Sequence, residues 1–279
     1  EKWAIETNTL ENGRHIVPNI VESLKHRLEM YGLTAEDFIG IGMGSPGAVN
    51  RENKTVTGAF NLNWAETQEV GSVIEKELGI PFAIDNDANV AGLAGAFLGA
   101  GKNYPTCYYV TVSTGIGGAF IVDGKLVSGG RGHAGEIGNI IVKNNGYKFG
   151  ALNPGAVEGE ASGTAITRKG KELLGEDIVN HAGDVFRLAD EGDLKAQSIV
   201  EECISQLATL FANIAHTVDP HCFIIGGGVM KSKDYFYDKL VEQFNSKIHV
   251  GMQGHIPLLT TKLEDCGAIG AAMLPMSRL

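Results

Sequence analysis

The stretch "DNDAN", Asp85 to Asn89, sets two carboxylates and two carboxamides between a short apolar run, 80–84, and a small-residue run, 88–101. A carboxylate placed there projects from the C-terminal edge of a strand, where open α/β sheets bind ligands. It also stands at the start of a helix, where the macrodipole favours negative charge. Such a group can accept a proton from a substrate hydroxyl. The competing reading is an Asx turn in which Asp85 and Asp87 only cap the helix. Three polar residues in succession exceed what one cap needs, which favours the functional reading.

Two glycine-rich stretches point to a second kind of chemistry. "VTVSTGIGGAF", 110–120, offers Ser113, Thr114, Gly115, Gly117 and Gly118 at the tip of an expected hairpin. Glycines let backbone N–H groups converge on phosphate oxygens, and the hydroxyls add donors. The stretch is neither a dinucleotide fingerprint nor a P-loop, since both lead from strand into helix. Alone, it is equally a hairpin turn that needs positive φ. "IIGGGVM", 224–230, strips side chains from Gly226, Gly227 and Gly228, so a flat ligand such as a nucleotide can lie against backbone. A tight strand-to-helix crossover explains it equally well. "GSPGAV" (44–49), "NLNW" (61–64) and "HAGEIGN" (133–139) add weaker signals. The acceptors Asn61, Asn86, Glu136 and Glu158 suit a polyhydroxylated ligand, whereas Glu160 is expected to lie exposed at the surface.

These residues need a framework, and the hydrophobic spacing supplies one. Ile16, Val17, Ile20, Val21, Leu24 and Leu28 recur at helical spacing within 13–31, and Gly32 closes the pattern. A strand over 38–44, a turn at 45–49, a helix over 65–79, a strand over 80–84 and a helix over 88–101 follow. Beyond the hairpin, helices are expected over 161–174, 184–191, 193–218 and 234–247, strands over 222–228 and 257–261, and a last helix from Gly267. This alternation is that of an α/β layer architecture. A composition shift near Gly101 marks the best candidate boundary.

Composition narrows the function classes. Thirty-three acidic against 23 basic residues give a net charge of -10, and no stretch gathers cations, so nucleic acid is not an expected partner. Four dispersed cysteines form no Cys-x-x-Cys pair, which fits a reducing cytosol and no disulfide framework. Neither a signal segment nor a membrane span is legible. The length, 279 residues, suffices for one large or two moderate domains.

In order, "GMGSPGAV", "GAFNLNW", "GIPFAIDNDANVA", "STGIGGAF", "AGEIG", "EGEASGTA" and "IIGGGV" resemble the ROK family of bacterial sugar kinases, and most closely its glucokinase branch. The resemblance runs across nearly the whole chain. It implies an actin-like ATPase (ribonuclease H-like) α/β fold of two lobes around a cleft. The smaller lobe would comprise 1–100 with the terminal helix 267–279, the larger 101–266. The resemblance further implies ATP with Mg²⁺ as phosphoryl donor, a hexose as acceptor, and Asp87 as general base. Gly47, Asn61, Asn86, Glu136 and Glu158 match sugar-holding positions. Thr114, Gly115, Gly117 and Gly118 match a phosphate-binding turn, with Ser113 standing where the family commonly has Gly. Gly226, Gly227 and Gly228 match the adenosine side. A homodimer is the expected assembly.

Two larger departures stand out. The family's first strand carries an Asp-x-Gly-Gly-Thr phosphate loop, and the sequence starts after it, which bears on nucleotide binding. Most members also hold a structural zinc through one His and three Cys. Here Asn139 falls at the His, and Phe149, Ala151 and Ala156 at the cysteines. A zinc site needs about four such ligands, so no structural zinc is expected, and Phe149, Leu152, Ala156 and Val157 are expected to fill its place. The family His also contacts the sugar, which adds Asn139 to the substrate-binding set. The leading function is phosphorylation of glucose to glucose 6-phosphate. The alternatives are an N-acetylmannosamine or other hexose kinase, and a phosphorylation-dead sugar sensor. A glycosidase using Glu136 and Glu158 as acid and base leaves Asp87 and both glycine turns unexplained.

Overall fold

The structure, a computed structural model, describes residues 1–261 and 263–278. The first elements are α1 (Ile16–Tyr31), β1 (Ile41–Ser45), β2 (Ala48–Asn50), β3 (Thr55–Thr57), β4 (Gln68–Glu69), α2 (Val70–Leu78), β5 (Phe82–Asn86) and α3 (Asp87–Phe97). They are followed by β6 (Thr106–Val112), β7 (Ile116–Val122), β8 (Lys125–Leu126), α4 (Val157–Ala161), α5 (Gly163–Leu174) and α6 (Ala182–Asp190). The last are α7 (Leu194–Val218), β9 (Cys222–Gly226), α8 (Lys233–Lys247), β10 (Leu258–Thr260) and α9 (Cys266–Met273). Of the terminal helix expected over 267–279, Leu279 lies outside the described residues. No helix among the described residues is long and apolar enough to cross a membrane.

The chain divides into two compact units. The first comprises Glu1–Ala94, Gly129–Gly132 and the chain from Glu264 onward. In it β1 and β5 pair in parallel, Ile41 opposite Phe82 and Ser45 opposite Asn86, so both strands end together. Helix α9 lies so close to β1 that a Cβ at Gly42 would stand 1.7 Å from the Ala271 carbonyl oxygen. A Cβ at Gly270 would likewise stand 1.5 Å from the Val90 carbonyl oxygen on α3. Only glycine allows either approach. Trp64 is fully buried among Val21, Val56, Val70 and Ile74, and its indole N–H donates to the Gly13 carbonyl at 3.1 Å.

Two expectations for this unit need correction. The helix expected from 65 begins only at Val70, because Gln68 and Glu69 pair with Val56 and Thr55 of β3. With β2 they form a three-stranded antiparallel sheet that the spacing did not reveal. The small-residue helix also stops at Phe97, short of the 101 expected.

The second unit comprises Gly95–Ser128 and His133–Leu263. Its five strands run in the order β10-β9-β6-β7-β8, with β6 and β7 an antiparallel hairpin and β9 parallel to β6. Helix α7 turns a broad apolar face, including Ile199, Leu207 and Phe211, into the core. Its start is capped by the Asp193 carboxylate, which accepts the Ala196 N–H at 2.9 Å. Phe211, Phe223 and Phe244 meet edge-to-face, with ring centroids 4.9 to 6.3 Å apart. The helix expected over 161–174 is α5, starting at Gly163, and a short helix that the spacing did not reveal, α4, precedes it. Ser162 between them has extended backbone, and its hydroxyl accepts the Ala165 N–H at 3.1 Å, so one helix ends where a cap starts the next.

Candidate functional site

In the first unit β5 runs directly into α3, and the polar run "DNDAN" straddles the junction. Asp85 is 1% exposed and turns inward. Its carboxylate receives a two-pronged grip from Arg51, Nε at 2.5 Å and Nη2 at 2.7 Å. It also accepts the Asn89 carboxamide at 2.6 Å and the Asn86 N–H at 2.7 Å. Asn86 caps the helix through its side-chain oxygen, 2.9 Å from the Ala88 nitrogen. Asp87, the first residue of α3, is exposed. Three polar neighbours thus divide into an anchor, a cap and an accessible carboxylate. The capping role is shared, since one Asp87 carboxylate oxygen also accepts the Ala88 N–H at 2.8 Å, but it leaves Asp87 exposed and does not account for Asp85.

Gly47 lies between β1 and β2 with φ +85°, where a Cβ would stand 2.8 Å from the Thr57 carbonyl oxygen. Asn61 is exposed in a short 3-10 turn, Phe60–Leu62, held beside the buried Trp64 by an Ala59–Trp64 bridge.

In the second unit the hairpin turn is confined to Ser113–Gly115, where the Ser113 N–H reaches the Gly115 carbonyl at 2.9 Å. The N-terminus of α5 caps this turn from below. Gly163 N–H donates to the Ser113 carbonyl at 2.7 Å, and the Thr164 hydroxyl to the Thr114 carbonyl at 2.8 Å. Gly117 and Gly118 lie in β7, where a Cβ at Gly118 would stand 2.6 Å from the Ile137 side chain. The second glycine stretch ends β9 beside the first. Gly227 has φ +96°, and a Cβ there would stand 2.3 Å from the Val112 carbonyl oxygen, while Gly226 is buried against Tyr109. Both turns therefore meet at the C-terminal ends of two adjacent parallel strands.

Ser113, Thr114 and Gly228 line a cavity of about 830 Å³, together with Thr164, Thr167, Phe186 and the cations Arg168, Lys171 and Lys231. That size suits a whole small-molecule ligand. The carboxylates Glu172 and Glu176 also line it and Glu172 pairs with Arg168 at 3.0 Å, so the hydroxyls with Lys171 and Lys231 are what suit an anionic group, beside an aromatic ring that suits a flat one. The helix residues of this cavity were not legible in advance, because cations on an amphipathic helix read as ordinary solvated surface.

Glu136 and Asn139 are exposed, flanking a short turn at Ile137 and Gly138. The Asn139 side-chain oxygen accepts the Asn153 N–H at 2.7 Å. Glu158 is half-buried, with one carboxylate oxygen accepting the Ile116 N–H at 2.8 Å, and the absent side chain of Gly115 makes room for it. Glu160 corrects the expectation of surface exposure, since it is 1% exposed. It accepts the Tyr147 N–H at 2.6 Å and lies 3.4 Å from Lys169. The apolar cluster expected in this loop is only partial. Ala156 and Val157 are fully buried, whereas Phe149 and Leu152 are half-exposed. Among the described residues no three His, Cys, Asp or Glu side chains gather as metal ligands.

The ROK family model matches residues 4–278. The chain belongs to the ROK family. A glucokinase of Halalkalibacterium halodurans is 32% identical over 98% of this chain and 87% of its own length. Among solved structures, a ROK hexokinase from Thermus thermophilus superposes with a TM-score of 0.86 at 26% identity, covering 97% of this chain and 88% of that one. A ROK glucokinase from Streptomyces griseus, in complex with glucose and AMPPNP, superposes at 0.77 and 27% identity, covering 98% and 90%. Other relatives are named β-glucoside kinase and xylose repressor. The fold of this ROK protein is accordingly that of the actin-like ATPases.

Proposed function

We propose that the chain is an ATP-dependent hexose kinase that phosphorylates glucose on its 6-hydroxyl, with Asp87 as general base. The observation that carries this reading is the accessible Asp87 carboxylate on a junction braced by the buried Asp85–Arg51 pair. Bracing of that kind limits the freedom of a base that must meet one hydroxyl. The membership itself supports sugar-kinase activity of the ROK type, and glucose is favoured by relatives named glucokinase at 30–32% identity.

In the proposed reaction Asp87 takes the proton of the attacking hydroxyl as that oxygen bonds to the γ-phosphorus and the bond from the γ-phosphorus to the β–γ bridging oxygen breaks, releasing ADP. Gly47, Asn61, Asn86, Glu136, Asn139 and Glu158 fix the remaining hydroxyls. ATP lies in the cavity of the second unit, its phosphates against the turn Ser113, Thr114 and Gly115 and its adenosine by Gly228, while Gly117, Gly118, Gly226 and Gly227 shape the strand ends behind that turn. Mg²⁺ arriving with ATP neutralises charge on the phosphate oxygens. No structural zinc is expected in the 140–160 loop, which carries neither cysteine nor histidine.

The test is ATP-dependent ADP release measured across glucose, N-acetylmannosamine and other hexoses. Preference for glucose supports the reading, and preference for another hexose moves the protein within the family. The repressor relatives keep a second reading in play, a sugar sensor. Calorimetry showing hexose binding without any binding of an ATP analogue would select it.

A further inference from the structure

The buried Glu160 takes no part in the chemistry proposed above, yet it lies at the centre of a braced polar cluster of the second unit. Glu158 and Glu160 sit two residues apart on α4, so they project about 200° apart around the helix axis. Glu158 reaches the Ile116 N–H on one side. Glu160 faces the other way, into a closed ring of charges. Its Oε2 lies 3.4 Å from Lys169 and 3.8 Å from Lys143, and both lysines donate to Glu202, at 2.9 and 2.6 Å. Its Oε1 holds the Tyr147 N–H, an approach that Gly146 permits because a Cβ there would stand 2.3 Å from that oxygen. Arg168 completes the clasp, 3.6 Å over the Tyr147 ring and donating to the Gly159 carbonyl at 3.2 Å.

A five-residue helix cannot hold its own orientation, and α4 has no side-chain cap at its start. Val157 and Ala161 seat it in the core and the Val157 N–H donates to the Ile140 carbonyl at 2.9 Å, and its polar side chains then settle its rotation by what they grip. The geometry points to Glu160 as a positioning residue for the hexose. By tying α4 to Lys169 and to the 143–155 loop, it fixes the rotation that seats Glu158 on Ile116. Through the same loop it fixes Asn153, which holds Asn139. This assignment rests on the proposal that Glu158 and Asn139 bind the sugar.

The experiment compares Glu160→Gln and Glu160→Asp with the unaltered protein. In Glu160→Gln the hexose Kd, read by calorimetry without nucleotide, is expected to rise about tenfold, with kcat at saturating hexose within about threefold. Glu160→Asp should recover part of the affinity. The Ile116 amide reports the seating of Glu158 directly, and its hydrogen exchange should accelerate about tenfold in Glu160→Gln. Lower thermal stability with unchanged Kd and unchanged Ile116 exchange would reduce Glu160 to a structural residue and overturn the proposal. Should the unaltered protein bind no hexose, the kinase reading fails, and Ile116 exchange alone decides whether Glu160 seats Glu158. Should Glu160→Gln fail to fold, Lys143→Gln at the exposed corner of the ring carries the same readouts, with a smaller shift in the same direction.

Discussion

Removing Arg51 tests the physical basis of the proposed base most severely. Asp85 is 1% exposed on its side chain and Arg51 15%, so Arg51→Met takes the two-pronged guanidinium grip away from a buried carboxylate. Breaking a buried pair by deleting one partner costs about 3–5 kcal/mol. The Asn89 and Asn86 donors, at 2.6 and 2.7 Å, remain in place, which sets the expectation near the lower end, about 3 kcal/mol. At roughly 4 °C per kcal/mol for a unit of just over a hundred residues, the melting transition of the first unit should fall by about 12 °C. Differential scanning calorimetry reads this directly. The double variant Arg51→Met, Asp85→Asn removes the buried negative charge as well and should recover a large part of the loss. Because Asp85 also holds the Asn86 N–H, kcat of Arg51→Met should fall more than about tenfold if that backbone places Asp87 for general-base work. A shift below about 2 °C, or a double variant as unstable as the single, would refute the argument that this pair braces the junction.

Gly227→Ala places a methyl 2.3 Å from the Val112 carbonyl at φ +96°, so binding of an ATP analogue should weaken by more than about tenfold by calorimetry. An unchanged affinity would detach this turn from the nucleotide. The 140–160 loop should hold no stoichiometric zinc, and elemental analysis of purified protein finding one ion per chain would contradict that. The Glu202 cluster should show a defined pH window. Burial pushes the Glu202 carboxyl up, but the hydrogen bonds from Lys143 and Lys169 outweigh it and hold the group below its ordinary value. Its contribution is therefore complete above about pH 4.3 and is lost as pH falls through the depressed value. Lys143 is raised by its hydrogen bond to Glu202, so its contribution is complete below about pH 10.4 and is lost above the raised value. The melting-temperature deficit of Lys143→Met should accordingly be flat between these limits and shrink outside them. A deficit that grew in acid would overturn this account of the pair.

The long periodic elements were legible in the sequence because each carries its own signal. Helix α1 could be read from the spacing of Ile16, Val17 and Val21 to its stop at Gly32, which adopts φ +64°. The hairpin β6–β7 and the glycine turn after β9 were legible for the same reason. The sheet β2-β3-β4 was not, since strands of two or three residues are too short for any period to register. Local pattern also misjudged Glu160. Two glutamates separated by one glycine look alike in sequence, and only the closure of α4 against Lys169 and Tyr147 decides which one is buried. Arg51 was missed because its partner lies 34 positions away. The pairing is set by the packing of the end of β2 beside β5, not by anything local to either residue.

The most direct test of the central claim is the turnover of Asp87→Asn beside its hexose affinity. The substitution keeps size and hydrogen-bonding capacity while removing the base. The account predicts a fall in kcat of about 10²- to 10⁴-fold, with hexose binding by calorimetry retained. Turnover within about tenfold of the unaltered protein would contradict the assignment of Asp87 as general base.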